Sequence, residues 1–276
     1  LIGHEILESL SKTSIPILHH IGFMEPSFRP INIPKKYNYL ILSASNAVKD
    51  SLREKGFTVD ENSVVYPGAR VELFGKHATK RNLPNLPDGT KDKPLCIAFA
   101  GLLMASKGLH TLVESLIILK NQGIFTRTFI AGASFQMGYK EQLKEILKKH
   151  ELLDSVLFVG SLKRPQLSRF FRLNHVFVFP SIYPEAFGIV QAEAMASGLA
   201  LISSGVGGSK ELIKEDINGW LFNSQNPEDL SNKLAFLAKN PEVIKKFGIN
   251  SNHIARTEFN TMSSSKKIEN IFINLQ

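Results

Sequence analysis

After about residue 94, short apolar runs alternate with longer runs in which apolar residues recur every three or four positions. Short apolar runs bounded by turn residues are typical of buried strands, and amphipathic runs of ten or more residues are typical of helices. Alternating strands and helices predict a parallel sheet covered on both faces. The predicted elements are strand Leu95–Ala100, helix Gly108–Asn121, strand Arg127–Ala131, helix Gly138–His150, strand Val156–Gly160, helix Pro165–Leu173, strand His175–Pro180, helix Ile189–Ser197, strand Leu199–Ser203, helix Ser209–Lys214 and strand Trp220–Phe222.

The remainder of the chain is predicted to be helical. One helix opens at Asn226-Pro227-Glu228, because asparagine is a good helix cap and proline suits the first turn. Further helices are predicted within Glu242–Gln276, with an interruption near His253–Thr261.

The first part of the chain holds fewer strand signals. A helix is predicted at Asn46–Lys55, with Ser45 or Asn46 as its cap and Gly56 as its end. The predicted strands are Ser14–His19, Tyr39–Ser43 and Ser63–Tyr66. Since a doubly wound domain normally has about six strands, we expect a fragment or an unusually short protein that lacks the front of its first domain.

A segment without apolar periodicity separates the two parts. Lys76–Lys93 contains Pro84, Pro87, Asp88-Gly89 and several lysines, which is the composition of a linker. We place the boundary near Lys93. Residues 1–93 are then a partial first domain with its linker, and residues 94–276 a complete second domain with a doubly wound parallel sheet.

Composition is that of a soluble globular protein, with 43% hydrophobic and 21% charged residues. No apolar run reaches the roughly 18 residues of a membrane span, and the start, Leu1-Ile2-Gly3-His4-Glu5, lacks the basic and apolar regions of a signal peptide. We therefore expect a cytoplasmic protein. The single cysteine, Cys96, excludes a disulfide within the chain and is predicted to be a small core residue.

A net charge of +8 favours anionic partners such as nucleotide diphosphates, lipid headgroups or nucleic acid. The basic residues are scattered, and no aromatic residues are interleaved with them as in a platform for single-stranded nucleic acid. A solvated basic surface is therefore the simpler interpretation, and we expect no nucleic-acid partner. Peripheral contact with an anionic membrane is left open.

Two carboxylates, Glu185 and Glu193, stand out against the apolar segment that contains them. Glu185 falls in a predicted strand-to-helix turn, and Glu193 lies in a helix of small apolar residues, where a buried carboxylate needs hydrogen-bond donors. A capping or core-edge role satisfied by backbone amides is one interpretation. The other is a ligand site, since backbone N–H groups of the turn Ala186, Phe187 and Gly188 would face a phosphate at the helix N-terminus. Glu193 would then reach a diol such as a ribose.

Four segments stand in order along the chain: the loop Gly101–Gly108, the pair Glu185 and Glu193 with seven residues between them, the loop Val206–Glu211 and the strand Asn218–Phe222. Together they resemble the phosphate loop, the E-x7-E motif, the following loop and the next strand of the retaining nucleotide-sugar glycosyltransferases of the two-domain GT-B fold, group 1 or family four. The resemblance implies an α/β fold of two Rossmann-like domains, the first incomplete here, with the last helix crossing back to brace the first domain.

The resemblance also implies roles for individual residues. Glu185 would contact the transferred sugar and Glu193 the ribose, and Lys107 would balance the diphosphate charge. His19 or His20 would face the donor sugar from the first domain. The implied donor-binding residues are Gly101, Lys107, Leu162, Lys163, Ala186, Phe187, Gly188, Ile189 and Glu193, of which Leu162 and Lys163 belong to the nucleobase loop.

Two positions depart from the family pattern. Leu102 stands where an arginine usually assists the lysine, so one positive charge is missing, and Lys163 or Arg164 is a candidate to compensate for it. Ala186 replaces the more usual glycine, which is acceptable if its φ is negative.

No metal-binding motif occurs in the sequence, so we predict a metal-independent reaction without a cofactor. The donor would be a UDP- or GDP-linked sugar, and the acceptor a lipid, a polysaccharide or a small molecule. By family analogy the reaction retains the anomeric configuration, with the departing phosphate as base. Two alternatives remain: a nucleotide-sugar epimerase of similar fold, and a non-catalytic module that binds nucleotide sugars or anions.

Overall fold

A computed structural model describes residues 4–35, 38–76 and 86–275. Part of the predicted linker, residues 77–85, lies outside the described residues. We call the described residues up to 76 the first half and residues 86–275 the second half, although the first is the shorter part. The first half contains helix α1 (His4–Ser11), strands β1 (Ile17–Ile21) and β2 (Tyr39–Ser43), helix α2 (Asn46–Glu54) and the short helix α3 (Val71–Phe74). Strands β1 and β2 are parallel, with Ile17 opposite Tyr39 and Ile21 opposite Ser43.

Local chemistry explains where these elements start and stop. Strand β1 starts at Ile17 rather than Ser14, after Pro16, which has no N–H to donate. Ser45 caps α2 by accepting a hydrogen bond from the Val48 amide at 3.1 Å, and Gly56, with φ of 84°, lies just beyond its end. The helix prediction is therefore confirmed to within a residue.

The predicted strand Ser63–Tyr66 is wrong. Ser63 belongs to a 3-10 helix, Glu61–Ser63, and Val64 forms a single parallel bridge with Ser43. The Val65 amide donates to the Ser43 carbonyl at 2.8 Å, at the very end of β2. Pairing cannot continue because β2 ends there and Pro67 has no amide hydrogen.

The second half is built on a six-stranded parallel sheet with the order β5-β4-β3-β6-β7-β8. Its strands are β3 (Leu95–Ala100), β4 (Thr126–Ala131), β5 (Val156–Gly160), β6 (Val176–Phe179), β7 (Ala200–Ser203) and β8 (Gly219–Leu221). Its helices are α4 (Leu109–Asn121), α5 (Tyr139–Lys149), α6 (Arg164–Arg172), α7 (Ile189–Ala196), α8 (Pro227–Lys239), α9 (Pro241–Thr257) and α10 (Thr261–Ile273). These agree with the predicted elements, with two exceptions. The helix expected at Ser209–Lys214 is a 3-10 helix, Gly208–Leu212. The interruption expected near His253–Thr261 begins only after Thr257, where α9 ends.

The sheet is covered on both faces by separate apolar cores. Ile97 and Phe99 of β3 point to the core that includes residues of α4, α5 and α8, whereas Ala98 and Ala100 point to the core formed with α6, α7 and α9. Period-two alternation within one strand, which is buried except at the partly exposed Cys96, therefore supplies both layers.

The strand order reverses between β3 and β6. The chain runs outward from β3 to β4 and β5, and then returns to place β6 on the other side of β3. Loops leaving the carboxyl ends of two such strands diverge to opposite faces and open a crevice, where α/β proteins bind ligands. The loops after β3 and β6 carry Lys107 and Glu185.

The start of α10 is bonded to the first half. Ala69 donates to the Phe259 carbonyl at 2.7 Å and accepts from the Thr261 amide at 3.1 Å, and the Ser264 hydroxyl donates to the Tyr66 carbonyl at 2.6 Å. Gly68 permits this approach, because an added Cβ there would lie 2.2 Å from the Asn260 carbonyl carbon. Among the helices of the described residues, none is both long enough and apolar enough to cross a membrane.

Candidate active site at the strand-order reversal

A cavity of about 430 Å³ opens at the carboxyl ends of β3 and β6. Its walls come from both halves of the chain. The first half contributes Gly22, Ala44 and Pro67, and the second contributes Phe99, Ala100, Gly101, Leu102, Lys107, Phe179 and the run Glu185–Val190. Of the lining residues that the structure describes, Lys107 and Glu185 alone are ionisable.

Lys107 and Glu185 form an ion pair. The Lys107 Nζ lies 2.5 Å from the Glu185 Oε1, which also accepts a hydrogen bond from the Ser181 hydroxyl at 2.7 Å. The two side chains are 27% and 17% exposed, so the pair is accessible to a ligand while being shielded from most solvent. Screening of a charge–charge interaction is weaker in such a position than on an open surface.

Gly108 allows the lysine loop to reach the glutamate loop. It has φ of 68°, and a Cβ added there would lie 1.8 Å from the Pro180 carbonyl oxygen. The Ile182 amide donates to the Ser106 carbonyl at 2.8 Å, which ties the two loops together next to Lys107. A side chain at position 108 would push them apart.

The backbone of Glu185 is held by the next loop along the sheet. The Glu185 amide donates to the Val206 carbonyl at 3.1 Å, and the Gly208 amide donates to the Glu185 carbonyl at 2.7 Å. A Cβ on Gly207 would lie 2.5 Å from the Glu185 backbone carbonyl oxygen, and a Cβ on Gly208 would lie 2.2 Å from the Ala186 backbone carbonyl oxygen. Gly207 and Gly208 therefore allow this loop to pack directly against the backbone of Glu185 and Ala186.

The turn between Glu185 and helix α7 lines the cavity. Phe187 is buried against the rings of Tyr66 and Phe259, so its side chain serves packing. Gly188 precedes α7 with φ of 89°. Ala186 is not one of the described non-glycine residues with positive φ, so the alanine found there is not strained.

Glu193 lies on α7, is 5% exposed, and does not line the cavity. The Arg164 Nε, at the start of α6, is 3.2 Å from its Oε1. Burial raises the pKa of Glu193 above its ordinary value, and the hydrogen bond and charge of Arg164, with the charge of Arg70, only partly oppose that rise. A buried carboxylate with this arginine is thus held one helical turn behind the Glu185 turn.

Glu193→Gln should stabilise the protein near neutral pH. Because burial raises the folded-state pKa of Glu193, its contribution to stability is present at acidic pH and is lost as the pH rises through that pKa. Glutamine does not ionise, so it avoids this loss of stability, and its side-chain oxygen can still accept a hydrogen bond from the Arg164 Nε. Thermal unfolding should show a higher melting temperature for the variant at about pH 7.5 and a smaller difference at about pH 3.5. Exposed Glu145, changed to glutamine, is the matched control, and equal differences at both pH values would contradict the expectation.

The two residues assigned to the predicted nucleobase loop, Leu162 and Lys163, lie away from the cavity. Leu162 packs against the core on the α6 side of the sheet, and Lys163 is exposed and donates through its amide to the Gln166 side chain at 2.9 Å. Neither lines the cavity. Arg164, considered from the sequence only as a compensating charge, is the residue that contacts Glu193.

The two histidines lie at the carboxyl end of β1. His19 is 8% exposed and bonds the Tyr39 hydroxyl through Nδ1 at 2.6 Å, while burial and the neighbouring His20 lower its pKa. His20 bonds the Val65 carbonyl through Nε2 at 2.8 Å. Both line a separate cavity of about 230 Å³ and do not join Glu185, so their proposed role in the reaction stays a prediction.

Sequence reasoning missed several residues at the site. Ser181 follows β6, Gly22 follows β1, and Ala44 follows β2. The rule that ligand sites form at the carboxyl ends of parallel strands would have selected all three. Among residues 4–35, 38–76 and 86–275, no group of three or more His, Cys, Asp or Glu side chains is placed to hold a metal ion.

Two α/β units with parallel sheets that face each other across this cavity define the GT-B class of glycosyltransferases. The chain belongs to the group 1 glycosyl transferases, whose family model matches residues 87–253. This confirms a group 1 glycosyltransferase and the GT-B fold class, as expected from the four sequence segments.

Curated relatives support the same family. An uncharacterized glycosyltransferase of Methanocaldococcus jannaschii is 33% identical over 194 residues, which cover 67% of this chain and 48% of that protein. The D-inositol 3-phosphate glycosyltransferase of Streptomyces coelicolor is 25% identical over 244 residues, covering 81% of this chain and 53% of that protein. The chain thus spans about half the length of these curated relatives.

Solved structures share the fold. A glycosyltransferase from Rickettsia africae aligns with a TM-score of 0.77 at 22% identity, covering 94% of this chain and 70% of that one. Anabaena HepE, solved in complex with UDP and glucose, aligns with a TM-score of 0.77 at 19% identity, covering 98% of this chain and 75% of that one. At these identities the similarity defines the fold alone.

Proposed function

We propose that this chain carries the donor site of a retaining glycosyltransferase that transfers a hexosyl group from a UDP- or GDP-sugar, without a metal, to an acceptor bound on the first-half side of the cavity. The observation that carries the proposal is the Lys107–Glu185 ion pair at the strand-order reversal, with buried Glu193 behind it. The neighbouring fold of HepE, whose structure holds UDP and glucose, supports a nucleotide-sugar ligand.

In this proposal each charged group has a task. Lys107 and backbone amides of the turn before α7 stabilise the negative charge that develops on the leaving diphosphate. Both hydrogen bonds to Glu185 go to Oε1, and we assign Oε2 as the acceptor for a hydroxyl of the transferred sugar. We assign Glu193, which is buried outside the cavity lining, as the acceptor for the ribose hydroxyls, and Arg164 beside it as the second positive charge that Leu102 does not supply.

The bond changes follow from retention at one face of the sugar. The bond from the anomeric carbon to the diphosphate oxygen breaks as the acceptor oxygen bonds to the same face, and the acceptor proton passes to the departing phosphate oxygen. No second carboxylate on the opposite face is needed. The family match favours transfer over the epimerase alternative.

Nucleotide selectivity tests the site. We expect calorimetry to show that one of UDP, GDP and ADP binds at least about tenfold more tightly than the others, and that its affinity persists at about 0.5 M salt, because a shaped and partly buried site is screened less than a surface. Replacing Lys140 and Lys144 on the basic helix α5 with alanine is the control, and should leave this affinity unchanged.

Equal weak binding of all three nucleotides, lost with salt, would show a generic basic surface instead. Donor hydrolysis or transfer, followed by chromatography of the released nucleotide, separates an enzyme from a binding module. A chain that binds one nucleotide selectively but releases no sugar from any UDP- or GDP-linked donor would support the module.

A further inference from the structure

Glu211, in the 3-10 helix Gly208–Leu212 of the second half, reaches across to the first half. Its Oε2 accepts from the Asn46 amide at 3.1 Å, the Asn46 side chain at 2.9 Å and the Tyr66 hydroxyl at 2.9 Å. Its Oε1 accepts from the Ala47 amide at 2.9 Å. One carboxylate therefore receives four hydrogen bonds from residues about 145 to 165 positions away in the chain.

These bonds complete the N-terminus of α2. The first amides of a helix have no partner within the helix, and their partial positive charge favours an anion. Ser45 satisfies the Val48 amide, and Glu211 satisfies the two amides before it. Helix α2 has no acidic residue in its own first turn, so the second half provides the negative charge.

Tyr66 reinforces the contact from another segment of the first half. Burial, followed by the charge and hydrogen bond of Glu211, raises the pKa of its phenol, which therefore stays protonated and donates to the carboxylate. Asn46 also donates to the Tyr66 oxygen at 3.0 Å. The three side chains form one connected polar group between the halves.

The same short segment holds the proposed sugar site. Three residues before Glu211, Gly208 donates to the Glu185 carbonyl at 2.7 Å. A Cβ on Gly208 would lie 2.6 Å from the Ser45 hydroxyl oxygen, so the cap of α2 sits directly against this loop. Ala44, next to that cap, lines the cavity that contains Glu185.

We propose that Glu211 is a positioning residue that sets the first-half wall of the cavity against Glu185, so that its loss slows transfer while donor binding to the second half persists. The expected fall in the rate of transfer rests on the proposed function, whereas the expected change in the placement of the two halves can be measured without activity. Glu211 touches neither Lys107 nor Glu185 through its side chain, and acts through the placement of Ala44 and the loop Gly207-Gly208.

Glu211→Gln and Glu211→Ala test this kinetically. Glutamine keeps one acceptor oxygen but turns an NH₂ group toward the hydrogen-bond donors of the first half. Turnover should therefore be highest for the wild type, lower for the glutamine variant and lowest for the alanine variant. We expect kcat for the alanine variant to fall about 10- to 100-fold, as for a small misplacement of reacting groups. The calorimetric Kd for the preferred nucleotide should stay within about twofold, since uniform binding is untouched.

Glu61→Gln is the matched control. Glu61 accepts from Lys49 and Arg53 of the same helix α2, but makes these ion pairs within the first half. It should change neither kcat nor Kd. If Glu61→Gln and Glu211→Gln slow turnover equally, the effect is a general weakening of α2 and the proposal is overturned.

A distance measurement gives the readout that does not depend on activity. Spin labels on cysteines at Glu54 and Lys239, in a Cys96→Ser background, report the separation of the two halves. We expect one narrow distance distribution for the wild type and for Glu61→Gln, and a broader one for Glu211→Gln. An unchanged distribution in Glu211→Gln overturns the proposal, whether or not the wild type transfers sugar. A wild type without turnover but with a broadened Glu211→Gln distribution counts against the proposed function and supports the positioning role.

Discussion

Replacing Lys107 with alanine should lower kcat/KM for transfer about 100- to 1000-fold, the range found when one preorganised group that stabilises developing negative charge is removed. Lys107 is the sole cation among the described residues that line the cavity, and its neighbour Leu102 is apolar. No adjacent side chain in the lining can replace it. The variant also leaves Glu185 without its ion-pair partner, so an uncompensated carboxylate would repel the incoming diphosphate.

Kinetics with the preferred donor and calorimetry with its nucleotide both measure this effect. Lys107→Arg, which keeps the charge, should retain more activity than alanine. Lys120→Ala is the matched control, because Lys120 also pairs with a glutamate, Glu151, but on the surface of the second half. If Lys107→Ala keeps full nucleotide affinity and turnover, the phosphate-binding assignment fails.

Gly108→Ala should destabilise the protein by about 3 kcal/mol, because two costs add at this position. A left-handed backbone costs an alanine about 1 kcal/mol or more, and forcing an atom into a filled space costs about 1 to 3 kcal/mol. The new Cβ would lie 1.8 Å from the Pro180 carbonyl oxygen, which is backbone and cannot rotate away. Urea unfolding measures the loss, and the loops that carry Lys107 and Glu185 should separate.

Gly123→Ala is the control that isolates the contact. Gly123 has φ of 72°, close to the 68° of Gly108, but nothing lies within 4 Å of its added Cβ. It should therefore cost only about 1 kcal/mol, the backbone part. Equal destabilisation by the two alanines would mean that the approach to Pro180 relaxes without cost.

The elements of the second half could be predicted because each depends on local pattern. Buried parallel strands such as β3 and β6 appear as continuous apolar runs, and caps such as Asn226 are specified by one residue and its neighbours. The prediction failed at Ser63–Tyr66, where β-branched valines suggested a strand. That segment pairs at a single position because β2 ends at Ser43, and the end of a partner strand is not visible in the segment's own sequence.

The candidate site was predictable in part. The spacing of Glu185 and Glu193 placed one carboxylate in a strand-to-helix turn and the other in the following helix, and the glycines around Lys107 placed the lysine in a loop at the same sheet edge. The structure brings the Lys107 Nζ to 2.5 Å from the Glu185 carboxylate. The choice between Lys163 and Arg164 was not predictable. Lys163 directly precedes helix α6 and Arg164 is its first residue. The packing of α6 beside α7 decides which of the two contacts Glu193.

By itself, the sequence determined the order of strands and helices in the second half, the family, and the turn, helix and loop that carry Glu185, Glu193 and Lys107, because periodicity and short motifs are properties of neighbouring residues. Only the tertiary structure decided that Arg164 pairs with Glu193, that Glu211 caps a helix 165 residues earlier in the chain, and that Gly22, Ala44 and Pro67 complete the cavity wall. These contacts join segments far apart in sequence, and they exist only once the two halves have packed against each other.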